Sequence, residues 1–402
     1  MMEEIIKHYD YLMVGGGMAA AYAAEGIREV DSSGTIGLIT TDRDEPYTRP
    51  ALTKKLWTDE EFTEDEVSLE TSEKTGADIF LEAEVKSIDT ENKLVETSDG
   101  RQFGYKKLLL STGGEPQRIE GPDDERVVAF RSWKDYRDLR GKYAGKGKHV
   151  LVVGGSYIGT ELAANLALND TTVTFIYPQD LLSGNRFPEE LAKEYEERYR
   201  SNGITLMSST RADSYSIEDD QVVLKLENGE TVTGDALVLG VGVKPRLSLA
   251  EEAGLGVDDG VTADKYLKTS DPDIYAAGDI VSYPDPILGR NRIEHVDHAR
   301  KSGTTAGKNM AGAQEPYDYT PYFYSMVFDI SWKAIGTLDP ELDYYIDEVD
   351  GGKVVYYLKD DKPVGIITWN VEPDLDEVRA VLQSPPASRE GLKGLIREKE
   401  ED

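Results

Sequence analysis

Residues 11–20 read YLMVGGGMAA, an apolar run that leads into three glycines and then into small residues. Residues 150–159 repeat this arrangement as VLVVGGSYIG. In both stretches a predicted strand, a glycine turn and a helical pattern follow one another, which is the context in which such turns bind dinucleotides. Glycine allows the backbone to turn tightly and to approach a pyrophosphate, while the N-terminus of the following helix offers N–H donors. We therefore expect two dinucleotide sites in one chain.

The first glycine turn is followed by a candidate partner for an adenosine ribose. Gly15 and Gly17 supply the turn, and Ala20 at the third glycine position still allows the helix to pack closely. A strand is predicted at Ile36 to Thr40, and Asp42 follows it, where a carboxylate can accept hydrogen bonds from ribose hydroxyls. The alternative is a strand-to-helix turn without a ligand, and the position of Asp42 argues against it.

The second glycine turn departs from the pattern, because Ser156 replaces the middle glycine while Gly159 is kept. Serine is a small replacement, so we still predict a phosphate-binding turn. At the end of the next strand Gln179 stands where a carboxylate is expected, and Asp180 follows it. A carboxylate repels the 2′-phosphate of NADPH and a glutamine does not, while Arg186 could pair with such a phosphate. NADH and NADPH are therefore both candidates.

The composition limits the classes of partner and of chemistry. Acidic residues outnumber basic ones by 77 to 45, and the resulting net charge of −32 argues against nucleic acid or an anionic membrane as a partner. No apolar stretch is long enough to span a membrane, and the first ten residues are not arginine-rich, so we expect neither a membrane span nor a targeting peptide. The absence of cysteine excludes thiol catalysis and agrees with a cytoplasmic location.

The order of the predicted elements indicates an α/β protein in which one domain is nested in another. The strand-turn-helix pattern restarts near Val127, and the segment Ile274 to Asp279 is predicted to return to the first domain. Near the end, Val354 to Leu358 and Val364 to Trp369 alternate as β-strands do, which indicates a small third domain. We place the domains at residues 1–125 and 248–316 for the first dinucleotide, 126–247 for the second, and 317–402 for the C-terminal domain.

Taken together, the motifs resemble those of FAD-dependent pyridine nucleotide oxidoreductases of the apoptosis-inducing-factor and ferredoxin-reductase type. The resemblance covers nearly the whole chain, and its most specific parts are residues 46–54, PYTRPALTK, and residues 292–299, RIEHVDHA. It implies two doubly wound dinucleotide-binding domains of the glutathione-reductase type, one nested in the other, and a small C-terminal α+β domain. FAD would occupy the first domain, and NADH, with NADPH as the alternative, the second.

The same resemblance implies a set of site residues. Lys54 and Glu161 would form a catalytic ion pair beside the flavin, Tyr157 would gate or stack on the nicotinamide, and Asn370 would reach the NAD from the C-terminal domain. The residues expected around FAD are Gly15, Gly17, Ala19, Ala20, Asp42, Arg49, Lys54, Val85, Thr112, Gly113, Arg131, Asp279, Glu294, His295 and Phe328. The residues expected around NAD are Gly154, Gly155, Tyr157, Ile158, Gly159, Glu161, Gln179, Gly242 and Asn370.

Two further features of these motifs bear on the site. His295 and His298 have the spacing of residues on one helix face, which would suit a zinc ion, but the resemblance assigns this stretch to the flavin and we predict no metal. A structural role is the alternative for His298. Phe328 stands where the family often has a tryptophan, so a stacking surface is kept and an N–H donor is lost.

The predicted activity is hydride transfer from NADH to FAD, followed by electron transfer to a small-molecule or protein acceptor that is not a disulfide. Disulfide reduction needs a thiolate, and this chain has no cysteine. Ferredoxins and rubredoxins are acidic, so at low salt the charge favours a quinone, a dye-like molecule or oxygen. The alternative is a redox-gated interaction protein, in which reduction by NADH controls formation of a homodimer or binding of a partner.

The charge also predicts a dependence on salt. A net charge of −32 destabilises the compact state by self-repulsion, whereas in molar salt the Debye length falls to roughly 3 Å and the repulsion is screened. We interpret the chain as adapted to the salt-rich cytoplasm of a halophile; an ordinary acidic soluble protein is the alternative. The melting temperature is expected to rise steeply between dilute buffer and molar KCl, and a flat or falling curve would contradict this interpretation.

Overall fold

The computed structural model describes residues 6–145 and 147–399. Residues 1–5, which belong to the segment predicted to carry no targeting peptide, lie outside this description. The described chain forms two compact units. The first unit comprises the residues up to Arg49, Thr63–Glu115 and Lys244–Pro321, and the second comprises Pro50–Phe62, Pro116–Val243 and the residues from Tyr322 onward. This division does not test the predicted boundaries at residues 125, 247 and 316, which stay predictions.

The strands are named in chain order. They are β1 (Lys7–Val14), β2 (Ile36–Ile39), β3 (Asp78–Phe80), β4 (Val85–Asp89), β5 (Leu94–Thr97), β6 (Gln102–Leu110), β7 (Gly114–Pro116), β8 (Val127–Ala129), β9 (His149–Val153), β10 (Thr172–Ile176), β11 (Thr205–Met207), β12 (Ala212–Glu218), β13 (Gln221–Leu226), β14 (Thr231–Gly234), β15 (Ala236–Leu239), β16 (Val243–Pro245), β17 (Val261–Thr262), β18 (Ile274–Ala276), β19 (Val281–Asp285), β20 (Gly289–Arg292), β21 (Phe323–Val327), β22 (Ile330–Gly336), β23 (Asp343–Val349), β24 (Gly352–Lys359) and β25 (Lys362–Trp369).

The helices are named in the same way. They are α1 (Met18–Val30), α2 (Lys55–Thr58), α3 (Thr71–Thr75), α4 (Trp133–Tyr143), α5 (Tyr157–Leu168), α6 (Glu189–Ser201), α7 (Ser248–Glu252), α8 (Val296–Met310) and α9 (Leu375–Gln383). Short 3₁₀ turns lie at Arg49–Thr53, Glu64–Glu66, Gly278–Ile280 and Arg389–Leu392. Within residues 6–145 and 147–399, no helix is both long enough and apolar enough to cross a membrane.

The first unit is built on a seven-stranded sheet with β1 near its centre. Its order is β3-β2-β1-β6-β5-β4, and β18 pairs with β6 as well. Strand β1 runs parallel to β2 and β6, and β18 runs parallel to β6. Strands β4 and β5 form an antiparallel hairpin. Because β18 joins the sheet of β1, the chain returns to this unit as predicted.

The second unit repeats this order in a five-stranded parallel sheet, β11-β10-β9-β15-β8. Strand β9 is central and its residues 150–152 are fully buried, as expected for a strand covered on both faces. The two sheets confirm the predicted fold class, an α/β protein with two doubly wound units. Strands β12, β13 and β14 form a separate three-stranded antiparallel sheet.

The predicted C-terminal strands form an antiparallel sheet, β21-β22-β25-β24-β23, which belongs to the second unit. This sheet packs on α6 and on the segment before it. The Phe187 ring lies edge-on to Trp332 and to Trp369, with centroids 5.3 Å apart in both pairs. Glu194 of α6 accepts hydrogen bonds from Trp369 Nε1 and from Lys353 Nζ, each at 3.1 Å. Edge-to-face ring pairs contribute about 0.5–1.5 kcal/mol each beyond their area, which explains why the sheet groups with α6.

Helices α1 and α8 of the first unit approach each other at backbone distance. A Cβ at Gly307 would collide with the carbonyl oxygen of Ala23, and one at Gly303 would collide with that of Ala19. The atoms that an added methyl group would meet belong to the backbone of α1. Unlike a side chain, the backbone cannot relieve the clash by changing its rotamer. Gly303 and Gly307 of α8 are therefore needed for the two helices to approach this closely.

This close approach predicts the effect of a single added methyl group. Gly307→Ala is expected to lower the free energy of unfolding by about 1–3 kcal/mol, because the methyl forces α8 away from α1. Gly141→Ala in α4 is the matched control, since among the described residues nothing lies within 4 Å of the added Cβ. There alanine is expected to stabilise the protein by about 0.5–1 kcal/mol. Urea unfolding in molar KCl gives both values, and an unchanged Gly307→Ala variant would contradict the contact.

Candidate active site

The first glycine turn has two tightly packed glycines and one that borders open space. Gly15 has a φ of +113°, and a Cβ there would collide with the carbonyl oxygen of Ser111. A Cβ at Gly16 would lie 2.5 Å from the side chain of Thr40. At Gly17, which precedes α1, an added Cβ would meet none of the described atoms within 4 Å. Gly17 thus borders open space at the N-terminus of α1, where helices offer free N–H donors.

Asp42 lies beyond the end of β2, where it is joined to the proline-rich loop. The Tyr47 hydroxyl donates a hydrogen bond to Asp42 Oδ2 at 2.9 Å, and Arg49 Nη2 lies 3.8 Å from the same oxygen. The Arg49 guanidinium also lies 5.0 Å from the centre of the Tyr47 ring. A carboxylate has about four acceptor positions, so Asp42 can still accept hydrogen bonds from a ribose. The structure therefore brings two predicted flavin residues together.

Two other predicted flavin residues are joined by Arg292, which the sequence analysis placed in a motif but not among the site residues. Arg292 Nη1 donates to the Asp279 carbonyl at 3.0 Å and to Glu294 Oε1 at 2.5 Å. His295 forms the N-cap of α8, where its Nδ1 accepts a hydrogen bond from the Asp297 N–H at 3.3 Å. Arg292 is the first residue of the RIEHVDHA motif, and this position could have identified it as a site residue from the sequence.

His298 is fully buried in α8 and has structural contacts. Its ring stacks on Tyr283 with centroids 4.9 Å apart, and its Nδ1 lies 2.9 Å from the Tyr317 hydroxyl. Burial lowers the pKa of the His298 imidazole to about 4, so the ring is neutral at pH 7. These contacts favour the structural alternative for His298.

The remaining predicted flavin residues lie at or near the ends of strands and helices. The Thr112 hydroxyl donates to the Arg246 carbonyl at 2.8 Å, and the Gly113 carbonyl accepts from the Arg246 N–H at 3.0 Å. Val85 begins β4, and Arg131 stands two residues before α4. Ala19 and Ala20 lie in the first turn of α1 and are buried. Their roles at the flavin stay predictions.

The second glycine turn shows why a serine is accepted at its middle position. A Cβ at Gly154 would collide with the Gly240 carbonyl, and one at Gly159 would collide with the Gly154 carbonyl. The Ser156 hydroxyl donates to the same Gly240 carbonyl at 2.8 Å, so the side chain is turned toward the end of β15. The serine thus leaves the turn open, and Ile158 and Gly159 continue into the first turns of α5.

Gln179 lies against this turn with an unused acceptor. Its Oε1 is 3.3 Å from the position of a Cβ at Gly155 and has no hydrogen-bond partner among the described residues. A buried carbonyl oxygen without a donor is costly, and a ribose hydroxyl would supply that donor. Gly242, the other glycine predicted here, has a φ of +109° and accepts a hydrogen bond from the Gln117 N–H.

Lys54 and Glu161, which the resemblance pairs, form a buried ion pair in the second unit. Lys54 Nζ lies 2.8 Å from Glu161 Oε2, and the two side chains are 17% and 3% exposed. The Thr53 hydroxyl donates to the same oxygen at 2.5 Å, and the Ser325 hydroxyl donates to Oε1 at 2.7 Å. Both oxygens of the buried carboxylate are therefore held by donors.

Helix α5 also fixes the backbone on both sides of the lysine. Asn165, four residues after Glu161 and hence on the same helix face, donates from Nδ2 to the Thr53 carbonyl at 2.5 Å. Asn169, four residues further on, donates to the Trp57 carbonyl at 3.3 Å. The 50–62 segment is thus hydrogen-bonded to the helix that carries the glutamate. Spacing of four along α5 could have pointed to these asparagines.

Tyr157 starts α5 and is enclosed by three side chains. Its ring stacks on Phe323 at 6.3 Å and 13° and lies 5.6 Å from Trp332, and the Arg186 guanidinium lies 4.5 Å from its centre. Burial raises the pKa of the Tyr157 hydroxyl. Arg186, which the sequence offered as a phosphate partner, thus places its charge on the ring predicted to stack with nicotinamide. Its carbonyl also accepts a hydrogen bond from Tyr357.

Phe328 occupies the turn between β21 and β22. It has a φ of +53°, an unusual conformation for a bulky residue, and its ring lies 5.2 Å from that of Tyr199. The aromatic residue of this region that lies beside Lys54 is Tyr324, whose ring centre is 5.0 Å from Nζ. Tyr324 was not named from the sequence, since only the folded strand places it there.

Asn370, which was predicted to reach the NAD, is hydrogen-bonded to the neighbouring strand β22 of the antiparallel sheet. It follows β25 with a φ of +54°, and its Oδ1 accepts a hydrogen bond from the Ser331 N–H at 2.7 Å. Its own N–H donates to the Ser331 carbonyl at 2.8 Å. Its role toward NAD stays a prediction.

Comparisons with known proteins agree with this architecture. Residues 9–303 match the model of the pyridine nucleotide-disulphide oxidoreductase family. The monodehydroascorbate reductase of Pisum sativum is 32% identical over 95% of this chain and 96% of that protein. The mitochondrial apoptosis-inducing factor 1 of Dictyostelium discoideum is 30% identical over 94% of this chain and 79% of that protein. A ferredoxin reductase from Rhodopseudomonas palustris has a TM-score of 0.80 and 26% identity, with 90% and 91% of the two chains covered.

These findings confirm the resemblance to both named types, and they add monodehydroascorbate reductase, which the sequence analysis did not name. They also confirm the predicted enzyme class, an FAD-dependent NAD(P)H oxidoreductase, and its cofactors. The chain departs from the disulphide chemistry in the family description because it contains no cysteine. It belongs to the pyridine nucleotide-disulphide oxidoreductase family.

Proposed function

We propose that this enzyme uses NADH to reduce a small organic acceptor, and that Lys54 and Glu161 control the rate of hydride transfer. The main support for this role is the ion pair, in which the Glu161 carboxylate, 3% exposed, holds the Lys54 ammonium at 2.8 Å, while the lysine side chain is 17% exposed. When bound, FAD would supply the two-electron chemistry: it would take a hydride from NADH and deliver two electrons, both to one quinone or one each to two molecules of a radical acceptor.

In this proposal each cofactor is held by residues of its own glycine turn. Gly17 and the N-terminus of α1 would bind the pyrophosphate of FAD, and Asp42 would bind its ribose. The turn before α5 would bind NADH, with the unused Oε1 of Gln179 accepting a hydrogen bond from a ribose hydroxyl. Since an amide does not repel a 2′-phosphate, we propose only a modest preference for NADH over NADPH.

The ion pair can act electrostatically without changing its protonation. An ammonium carries three N–H donors, and Glu161 takes one of them. Fixed charge in a buried setting stabilises developing negative charge more strongly than mobile charge in water, because no solvent has to reorganise. Glu161 in turn fixes where this charge lies, since the lysine stem is flexible.

Two substitutions test the proposed role of the pair. Lys54→Met and Glu161→Gln are each expected to slow the reduction of bound FAD by NADH about tenfold to a hundredfold, which is about 1.4–2.7 kcal/mol of transition-state stabilisation. Anaerobic stopped-flow measurement of flavin absorbance gives the rate. Lys55→Met is the matched control, because Lys55 is the next residue and is exposed. Wild-type rates in the first two variants at full FAD content would show that the pair has no such role.

The acceptor is proposed from the composition and from the relatives together. No thiol exists in these 402 residues to pass electrons to a disulfide, and the charge of −32 opposes an acidic electron-transfer protein at low salt. Two monodehydroascorbate reductases, at 32% and 33% identity, match 95% and 99% of the chain. We therefore propose an organic radical or quinone-like acceptor, with the monodehydroascorbate radical as the first candidate.

A panel of acceptors tests this choice. With NADH, we expect reduction of ferricyanide, of a soluble quinone and of monodehydroascorbate generated by ascorbate oxidase, and no reduction of glutathione disulfide or coenzyme A disulfide above the rate of free FAD. Consumption of NADH and of acceptor is followed in molar KCl, and NADPH is compared in the same assay. Disulfide reductase activity would refute the proposed route of the electrons, and faster turnover with a ferredoxin than with every small molecule would refute the acceptor class.

We also propose a cellular location, a salt-rich medium and an oligomeric state. The absence of cysteine supports a cytoplasmic location, and the charge of −32 supports a salt-rich medium as in halophiles. The resemblance to apoptosis-inducing factors supports a homodimer that forms when NADH is bound.

A further inference from the structure

We propose that Ser325 is a positioning residue for the reaction, and that its hydroxyl fixes the Glu161 carboxylate and through it the Lys54 ammonium. This inference rests on the proposed function of the ion pair. Ser325 lies in β21, far in sequence from both members of the pair, and it is buried.

The two carboxylate oxygens of Glu161 have different partners. Oε2 is shared by Lys54 at 2.8 Å and Thr53 at 2.5 Å, both from the 50–62 segment. Oε1 accepts from Ser325 at 2.7 Å, and among the described residues no second donor to it is found. With the glutamate 3% exposed, water has little access to replace that donor. Loss of the serine hydroxyl would leave a buried charged oxygen without its hydrogen bond, the costliest kind of loss.

The register between α5 and β21 places this hydroxyl. Tyr157 and Glu161 are four residues apart on the helix, a rise of about 6 Å, and Phe323 and Ser325 are two residues apart on the strand, about 6.6 Å. Because these two spacings are nearly equal, both pairs of residues are in contact: the ring of Phe323 stacks on Tyr157, and the hydroxyl of Ser325 donates to Glu161. A slip of β21 by one residue would turn both side chains to the other face and remove both contacts.

The neighbouring residue of β21 contacts the other member of the ion pair. The Tyr324 ring lies 5.0 Å from Lys54 Nζ, within the range of a cation–π interaction. Consecutive residues of one strand thus contact the ammonium and the carboxylate. Pairing of β21 with β22, where Ser325 faces Trp332, holds the strand in place.

The orientation of the Glu161 carboxylate determines the position of the Lys54 ammonium that is bound to it. The terminal torsion of a glutamate has a broad, two-fold preference, so a carboxylate held at one oxygen can rotate. The ammonium would then move with Oε2 on its flexible stem, and a displaced charge stabilises the transition state less. Loss of the Ser325 hydroxyl would therefore lower the hydride-transfer rate and the reduction potential of FAD, and it would leave NADH binding nearly unchanged.

The experiment compares three variants of the FAD-loaded enzyme. Ser325→Ala removes the hydroxyl, Ser325→Thr keeps it, and Met326→Ala changes the next residue of the strand, which is 60% exposed. Anaerobic stopped-flow titration with NADH gives the limiting rate of FAD reduction and the apparent Kd for NADH, and a redox titration gives the midpoint potential. Ser325→Ala is expected to lower the limiting rate about fivefold to tenfold and to make the potential more negative, with the Kd within about twofold. Ser325→Thr and Met326→Ala are expected to stay near the wild type.

A second variant keeps the proposal testable if Ser325→Ala fails to fold. Thr53→Val removes the other hydroxyl, from an oxygen that Lys54 still contacts, and is expected to slow the reaction less than Ser325→Ala, or about twofold to fivefold. A wild-type limiting rate and potential in Ser325→Ala, beside slow Lys54→Met and Glu161→Gln variants, would overturn the inference and leave the proposed function standing. A change confined to the melting temperature or to the Kd for NADH would overturn it too. Wild-type rates in Lys54→Met and Glu161→Gln would overturn the proposed function and this inference with it.

Discussion

A carboxylate that is 3% exposed has to be paired, because burial of an unpaired charge costs several kcal/mol. Glu161 meets this requirement with an ammonium and two hydroxyls, and these partners come from separate parts of the chain. The 50–62 segment supplies two of them and β21 supplies the third. These contacts, together with the hydrogen bonds of Asn165 and Asn169, tie the 50–62 segment and β21 to α5 within one compact unit.

The glycine turns and their strands could be predicted from the sequence because their causes are local. A positive φ at Gly15 and at Gly154, and the absence of room for a Cβ, depend on the residues of the turn and on the strand beside it. Strands β1, β9, β24 and β25 could be found for the same reason, since buried and alternating strands have distinct apolar patterns. The fold class and the cofactors follow from these features and from the family resemblance.

Long-range placement is what the sequence did not reveal. Ser325 and Tyr324 reach the ion pair through the register of a strand more than 150 residues away from α5. Arg292 joins two predicted flavin residues by a geometry that only the folded turn shows. Phe328 was predicted to offer a stacking surface, but the direction of its ring depends on a turn in the left-handed region. Such positions are set by packing and not by residue type, so composition and spacing carry no signal for them.

The contact between α1 and α8 has a consequence for the order in which the chain can fold during synthesis. Strand β18 completes the sheet of β1, and α8 covers the helix that follows the first glycine turn. When residues up to Glu115 have emerged from the ribosome, the sheet therefore still lacks β18 and helix α1 still lacks its partner. The first unit cannot close until residues near 310 have emerged, after the β8–β15 sheet is already available to form. The N-terminal segment must remain unaggregated through that interval, and its many surface carboxylates, by mutual repulsion between chains, are well suited to keep it so.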